Sequence, residues 1–335
     1  MKYELICDYQ EDFKSFTNDG HINDHQDQET FQNLQKAIKE SGYECDIFGG
    51  VPALLDAINH KTHFEDTIFL NLSDGMSQKY SRVQIPILCE ILGAKYSGGN
   101  AFVAALTSNK YYTKLAVEKL GIKIPQGILV TKNNLPDNLT LKTLHYPLIV
   151  KPNAEGSSIG ITDKSICKTE IELISLMKQM LRIFDEILVE EFIEGYDVTD
   201  FIIGNKNDYS INEPMMALKN GKLIQKMDVM SYTDYIHRNN WYVTPKGYIS
   251  EKCIEDLKRI SILIAEYLET YDIARIDYRI TKDNCIYFLE INTVPAIHHK
   301  SQAGAICEHL GITFNEFVGC WVSTVSHRIL GNRRS

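Results

Sequence analysis

The chain has 335 residues, 44% of them hydrophobic and 24% charged, an ordinary globular balance that excludes fibrous and disordered classes and has room for two or three domains. Thirty-five Lys and Arg against 44 Asp and Glu leave a net charge of −9. With no basic tract, nucleic acid and anionic membranes are poor partners, since both bind mainly through Lys and Arg. No apolar stretch approaches the roughly 18 residues of a membrane span. The eight cysteines (Cys7, Cys45, Cys89, Cys167, Cys253, Cys285, Cys307, Cys320) are scattered without a CxxC pair. They read as reduced thiols and, with no signal-peptide pattern at the start, the expected compartment is the cytoplasm.

In chain order, YELICDY suits a buried strand, and ETFQNLQKAIKESGY carries Phe31, Leu34, Ala37 and Ile38 at helical spacing before a stop at Gly42. ECDIFGG and DTIFLNL read as strands around a helix at VPALLDAIN, and RVQIPILCEILG as a helix ending at Gly93. This βαβα pattern predicts an open, mainly parallel sheet. The polar stretch between Tyr9 and Glu29 is too long for a simple connection, and long loops at the carboxyl end of a parallel strand usually carry function. From about Asn109 the character changes. SNKYYTKLAVEKLG and TEIELISLMKQMLRIF read as helices, and YPLIVKPN and DEILVEEFIEGYDVTDFIIG carry strand signals. Residues 213–250 form a polar, Tyr-rich region of weak periodicity. KRISILIAEYLETY is helical, ARIDYRI and CIYFLEINTV are strands, and FNEFVGCWVSTVSHRIL closes as a helix.

The segment ARIDYRITKDNCIYFLEINT carries the densest chemical signal. Asp and Asn tolerate the left-handed conformations of hairpin tips, so Asp283-Asn284 is the expected turn. Asp277 then falls opposite Glu290, and Arg275 opposite Asn292. Alternation puts these four on one face and Ile276, Tyr278, Leu289 and Ile291 on the other. Opposed carboxylates repel unless a cation lies between them, and an Asp–Glu–Asn oxygen set suits Mg²⁺ or Mn²⁺. A solvated face on which the acids pair with Arg275 and Arg279 is the other reading of these residues.

LIVKPNAEGSSIGI sets Lys151 at the end of an apolar strand, ahead of Gly156, Ser157, Ser158 and Gly160. Glycine lets backbone N–H groups wrap an anion, hydroxyls add donors and lysine supplies charge. In a Walker loop the lysine follows the glycines, so the order here points to a lid over phosphates. An ordinary surface turn is the alternative. Lys110 and Lys114, taken alone, read as surface lysines. ILVEEFIEGYD offers backbone edges for an adenine and carboxylates for a ribose in Glu190, Glu191 and Asp197.

In this order, Lys110, YPLIVKPNAEGSSIGI, LVEEFIEGYDVT, ARIDYRI and FLEINTVPAIHHKS resemble the ATP-grasp superfamily, and within it the D-alanine–D-alanine ligase group, over roughly residues 70–310. The resemblance implies an α/β (α+β) ATP-grasp fold: an N-terminal open parallel sheet over residues 1–105, a small central subdomain with the lid over 106–190, and a C-terminal subdomain with the metal hairpin over 191–335. It implies that Lys110, Lys151 and Ser158 serve the ATP phosphates. Glu190 would sit by the adenine, with the main chain of Glu191, Phe192 and Ile193 lining its pocket, and Asp197 would stand for a ribose-binding glutamate. Asp277, Glu290 and Asn292 would hold two Mg²⁺ ions, with Mn²⁺ as a substitute. Arg275 would stabilise the oxyanion, Ser157 would position substrate, Ser301 would bind the second substrate's carboxylate, and Ala296 would stand for a glycine of the oxyanion pocket. A homodimer is what the family suggests.

The departures concern substrate. The family's GGxSxE-type motif has no counterpart after the first strand, its HGxxGEDG segment is replaced by SDGMSQKYSRVQ, and its DYxxKY lid by MDVMSYTDYIHRNNW. The expected function is therefore an ATP-dependent ligase that joins amino acids or small peptides through an acyl phosphate. Strict D-alanyl-D-alanine synthesis, intramolecular ring closure and a non-catalytic nucleotide-binding relative are the alternatives. His298 and His299, beside the metal strand, are expected to shape the substrate pocket, because hard-oxygen sites rarely use imidazole.

Overall fold

The computed structural model describes residues 1–9, 27–76, 79–136, 143–231, 234 and 242–331. The polar stretch 10–26 and most of the Tyr-rich segment after Ser231 lie outside the described residues. The chain opens with β1 (Lys2–Ile6), α1 (Gln28–Glu40), β2 (Cys45–Gly49), α2 (Val51–Asn59), β3 (Thr67–Asn71), α3 (Gln84–Leu92) and β4 (Lys95–Tyr96). The strands form a parallel sheet in the order β2-β1-β3-β4, as the βαβα pattern predicts. Local chemistry sets the helices. Asp27 caps α1 by accepting from the Thr30 N–H at 2.8 Å, Phe31, Leu34, Ala37 and Ile38 form its buried stripe, and Gly42 follows with φ of 92°.

Two short helices, α4 (Ala101–Thr107) and α5 (Lys110–Glu118), lead to a second sheet. It comprises β5 (Gly127–Thr131), β6 (Leu148–Pro152), β7 (Ile166–Cys167) and, after α6 (Glu170–Met180), β8 (Glu186–Glu191). Its order is β5-β8-β6-β7 with antiparallel pairings. The third sheet holds β9 (Tyr196–Asn205), β10 (Asp208–Lys219), β11 (Lys222–Leu223), β12 (Tyr242–Val243), β13 (Asp272–Ile280) and β14 (Ile286–Asn292), with α7 (Glu251–Tyr267) between β12 and β13. α8 (Gln302–Leu310) and α9 (Phe314–Gly331) follow. Strand β10 runs into the region that sequence periodicity left without an element. Its consecutive residues Pro214, Met215 and Met216 are all buried, so the alternation that betrays a half-exposed strand is absent.

The register of β13 and β14 pairs Arg275 with Asn292 and Asp277 with Glu290, as alternation predicts, and Asn284 at the tip has φ of 61°. A bulge after Asp277 then shifts the ladder so that Tyr278 faces Phe288. This corrects the expected side of Leu289. Phe288 is the residue buried beside Tyr278, while Leu289 lines the cleft described below.

The last helix joins the first and third sheets. Phe317, Trp321 and Val325 of α9 share one core with Leu5, Leu34 and Ile38 on one side and Phe201 and Ile203 on the other. Arg328 donates to the Asp272 carboxylate at 2.6 Å and to the Tyr96 carbonyl at 3.0 Å, and Asp272 accepts from the Gly98 N–H at 2.9 Å. The placement of the first sheet against the third therefore rests on packing that spans the chain from end to end.

Strand β9 buries Asp200 completely, between Val198 and Ile202, which pack with α7. Neither carboxylate oxygen has a hydrogen-bond partner among the described residues, and the neighbouring Ser261 hydroxyl is bonded to Tyr278 at 2.8 Å. Burial pushes the Asp200 carboxyl up to about 8, against smaller opposing pulls from Ser261 and Lys258. The folded value lies above the ordinary 3.8, so the native state holds the proton more tightly, and this contribution to stability is lost as pH rises through about 8. Asp200→Asn is expected to raise Tm by about 2 °C or more near pH 8.5 and by clearly less near pH 4. Equal shifts in thermal scans at both pH values would contradict the buried-acid assignment.

Candidate active site

A cleft opens between the second and third sheets. Part of its wall is apolar: Ile149, Phe192 and Val229 cluster there with Ile161 and Met227 packed against them. The remainder gathers Lys110, Lys151, Arg275, Asp277 and Glu290. Gly156, Ser157 and Ser158 border it as a loop, with φ of 49° at Ser157 and 58° at Ser158. Two consecutive non-glycine residues in the left-handed region are costly, and such strain concentrates at ligand-binding loops.

Glu190, at the end of β8, is 1% exposed and lies between two lysines. Its Oε1 is 2.7 Å from Lys151 Nζ of β6, and its Oε2 is bonded to Lys114 Nζ of α5. Burial disfavours the Glu190 carboxylate, but the two ammonium groups outweigh it and lower its pKa. Two lysines facing one carboxylate leave a surplus positive charge. It falls on Lys114, where burial, with Lys151 adding repulsion, overcomes the pull of Glu190 and lowers the ammonium to about 7.

The hairpin residues are each held by a cation. Arg275 grips Asp277 with Nη2 on Oδ2 at 2.9 Å and Nε on Oδ1 at 3.1 Å, and Thr199 Oγ1 donates to Oδ1 at 2.6 Å. Lys110 Nζ lies 3.1 Å from Glu290 Oε2. Burial would raise the Glu290 pKa, but Lys110, Lys151 and Arg275 together hold it down to about 2. Arg82, from the loop after β3, donates through Nη1 to Asn292 Oδ1 at 3.0 Å. No group of three His, Cys, Asp or Glu side chains is placed to hold a metal among the described residues. The available set is two carboxylates and an amide. Three hard oxygens on neighbouring strands, carrying two negative charges, match the donor chemistry of a divalent cation such as Mg²⁺.

A family model described as the D-ala D-ala ligase C-terminus matches residues 116–323. The D-alanine–D-alanine ligase of Aquifex aeolicus is 30% identical over 293 residues, covering 86% of this chain and 92% of that protein. The chain belongs to the D-alanine–D-alanine ligase family. The corresponding ligase of Petrotoga mobilis is 28% identical, covering 90% of this chain and 93% of its own. In fold, the chain is similar to the Bacillus anthracis D-alanine–D-alanine ligase complexed with ATP, with TM-score 0.70 at 19% identity and 99% of each chain covered. It is likewise similar to the VanG D-Ala:D-Ser ligase of Enterococcus faecalis, with TM-score 0.69 at 17% identity, covering 97% of this chain and 99% of that one. The protein is an ATP-dependent carboxylate–amine ligase with the ATP-grasp fold, and the α/β class expected from its sequence is the one observed.

Within this family member, the cleft brings together Lys110, Lys151, Ser157, Ser158, Glu190, Glu191, Phe192, Ile193, Asp197, Arg275, Asp277 and Glu290. Asn292 continues β14 just beyond them. The expectation that Lys114 is a surface lysine is corrected: it is 2% exposed and bonded to Glu190. Its spacing of four from Lys110 puts both on one face of α5, a signal available in the sequence. Asp197 is engaged by Arg279, which also donates at 2.9 Å to each of the Ile193, Lys226 and Asp228 carbonyls and stacks 5.0 Å from the Phe192 ring centre. Arg279 thus clasps the turn after β8 to the segment after β11. Period two from Arg275 and Asp277 reaches it, although its partners come from elsewhere in the chain.

Glu191 turns its carboxylate to His145 at 2.7 Å. Ser301 caps α8, accepting from the Ala303 N–H at 3.2 Å and donating to the His298 carbonyl at 2.7 Å. Neither Ser301 nor Ala296 is in the cleft wall formed by the residues above. His299 stacks on Phe314 with ring centres 4.1 Å apart.

Removing Glu190 strands two buried ammonium groups, whereas removing Lys114 leaves a balanced Lys151–Glu190 pair. Glu190→Ala is expected to cost about 3–5 kcal/mol in denaturant unfolding, and Lys114→Met less than half as much. The reverse order would overturn this charge assignment.

Proposed function

We propose that this ligase joins an amino acid or small peptide, activated as an acyl phosphate, to an amine substrate and releases ADP and phosphate, in the cytoplasm, with Mg²⁺ as its metal. The observation that supports it best is the pairing in the cleft: Lys110 with Glu290, Arg275 with Asp277 and Arg82 with Asn292. These cations and oxygens are the groups that a nucleotide's phosphates and its metal would draw apart. Asp277, Glu290 and Asn292 would hold two Mg²⁺ ions, which when bound offset charge on the transferring phosphoryl group. Lys110 and Lys151 then turn to the phosphates, and the adenine occupies the apolar wall beside the main chain of 191–193. Asp197, neutralised by Arg279, serves the ribose only at its outer edge.

A carboxylate is a poor electrophile, and phosphorylation by ATP supplies it with a leaving group. Amine attack builds an oxyanion that Arg275 neutralises, while the backbone at Ala296 lines its pocket. Ser157 positions the acid substrate, Ser158 borders the phosphates and Ser301 takes the carboxylate of the amine substrate. The Gly-Ser loop and the segment clasped by Arg279 exclude water, which would otherwise hydrolyse the acyl phosphate.

The relatives are named for D-alanine. The family's GGxSxE-type motif has no counterpart after the first strand of this chain, so its acid substrate is read as a different one. ADP release with ATP and Mg²⁺ against single and paired D- and L-amino acids, with products checked by mass, tests this. Turnover with another acid is expected, and D-alanyl-D-alanine from D-alanine alone would restore the family's substrate. Glu290→Gln should abolish ATP turnover while the variant still folds, as judged by a cooperative thermal transition. Full turnover in that variant would remove Glu290 from the metal set.

A further inference from the structure

We infer that Lys114 is a positioning residue for the nucleotide: from behind the cleft it holds the Glu190 carboxylate, so that Lys151 can leave that carboxylate for a phosphate. The inference rests on the reading above, in which ATP binds in the cleft, and adds to it a residue that touches neither nucleotide nor substrate. Lys151 and Glu190 line the cleft, whereas Lys114 does not.

All three groups are buried, and Glu190 gives one oxygen to each lysine. Its Oε1 lies 2.7 Å from Lys151 Nζ, and its Oε2 accepts from Lys114 Nζ. The helix that supplies Lys114 is tied down at its first turn. Asn153, just past β6, accepts from the Lys110 N–H at 3.1 Å through its carbonyl and from the Tyr111 N–H at 3.0 Å through its side chain. Asn109 caps the same turn by accepting from the Tyr112 N–H at 3.0 Å. With α5 so fixed against β6, Lys110 reaches the cleft and Lys114, one turn later, meets Glu190.

A phosphate that takes Lys151 takes it from Glu190. With Lys151 as sole partner, that exchange would leave a buried carboxylate uncompensated, which costs more than a buried pair contributes. Lys114 removes this cost, because its own bond to Oε2 stays in place. The two lysines also differ in charge. Burial opposes the Lys151 ammonium, but Glu190 and Glu290 outweigh it and raise its pKa. The charged groups that face Lys114 are Glu190 of β8, Lys151 of β6 and, most weakly, Glu290 of β14. Burial, with Lys151 repelling across the shared carboxylate, prevails there and lowers the Lys114 ammonium to about 7. Drawing Lys151 onto a phosphate weakens that repulsion and brings negative charge closer. Lys114 then takes a proton from the solvent as the nucleotide binds.

Calorimetry on the full-length enzyme tests this. A non-hydrolysable ATP analogue is titrated at a pH of about 8, one unit above the Lys114 value, in two buffers of different ionisation heat and with Mg²⁺ held constant. Wild type is compared with Lys114→Met and with Lys114→Gln, which keeps a donor for Glu190 and loses the charge. Wild type is expected to take up about half a proton or more per analogue bound beyond either variant, and both variants to bind the analogue about threefold or more weakly. Absence of uptake in wild type overturns the proposal without any variant. Equal uptake in all three proteins also overturns it, as does wild-type affinity in Lys114→Gln, which would reduce Lys114 to a hydrogen-bond donor. If Lys114→Met shows no cooperative thermal transition, the same criteria apply to Lys114→Gln. Failure of wild type to bind the analogue counts against the ATP reading itself, so the two failures are distinct.

Discussion

Glu190 holds Lys114 and Lys151 together in the interior, and the geometry of the cleft depends on that contact. Taking an ion out of water costs several kcal/mol unless opposite charge and hydrogen bonds meet it. Here the three charges come from α5, β6 and β8, so meeting that cost fixes a helix against two strands of the second sheet. The arrangement is unbalanced by one positive charge, and Lys114 absorbs the imbalance through its lowered proton affinity. Lys110, Lys151 and Arg275 line the cleft and give its polar part the cations that an anion needs, in a protein whose net charge is −9.

The opposite wall is governed by the β13–β14 hairpin. Its two carboxylates stand across from each other because the register is in phase at Asp277 and Glu290, and the bulge just beyond turns Leu289 toward the cleft and Phe288 into the core. Like charges in such a position are stable only when countered. Arg275 and Lys110 do so here: Asp277 pairs with Arg275, as the solvated-face reading expects, whereas Glu290 pairs with Lys110 and Arg279 goes to Asp197 instead. Arg279 performs a mechanical task on that face, joining three carbonyls and Asp197 so that the segment after β11 stays against the turn after β8.

Much of this was legible in the residues. Amphipathic helices such as α1, with four buried apolar positions at helical spacing and a Gly42 stop, follow from local periodicity and backbone preference. The opposition of Asp277 and Glu290 follows from a hairpin tip and alternation. Strand β10 was not legible, because a strand buried on consecutive residues has no period-two signature and Pro214 speaks against it. The bulge was not legible either, since one extra residue leaves composition and spacing unchanged.

The sequence by itself determined the order of most strands and helices, β10 excepted, together with the Lys–Gly–Ser loop, the carboxylate hairpin and, through their succession, the ligase family. These depend on near neighbours along the chain, where turn chemistry and side-chain alternation act within a few residues. Tertiary structure alone decided which charges meet. That Lys114 is buried on Glu190, that Arg279 takes Asp197, that α9 completes the core of the first sheet and that Arg82 reaches Asn292 from 210 residues away are outcomes of packing between distant segments. A lysine or arginine has the same appearance in sequence whether water or a carboxylate faces it, and only the folded arrangement of low-dielectric surroundings assigns its partner and its proton affinity.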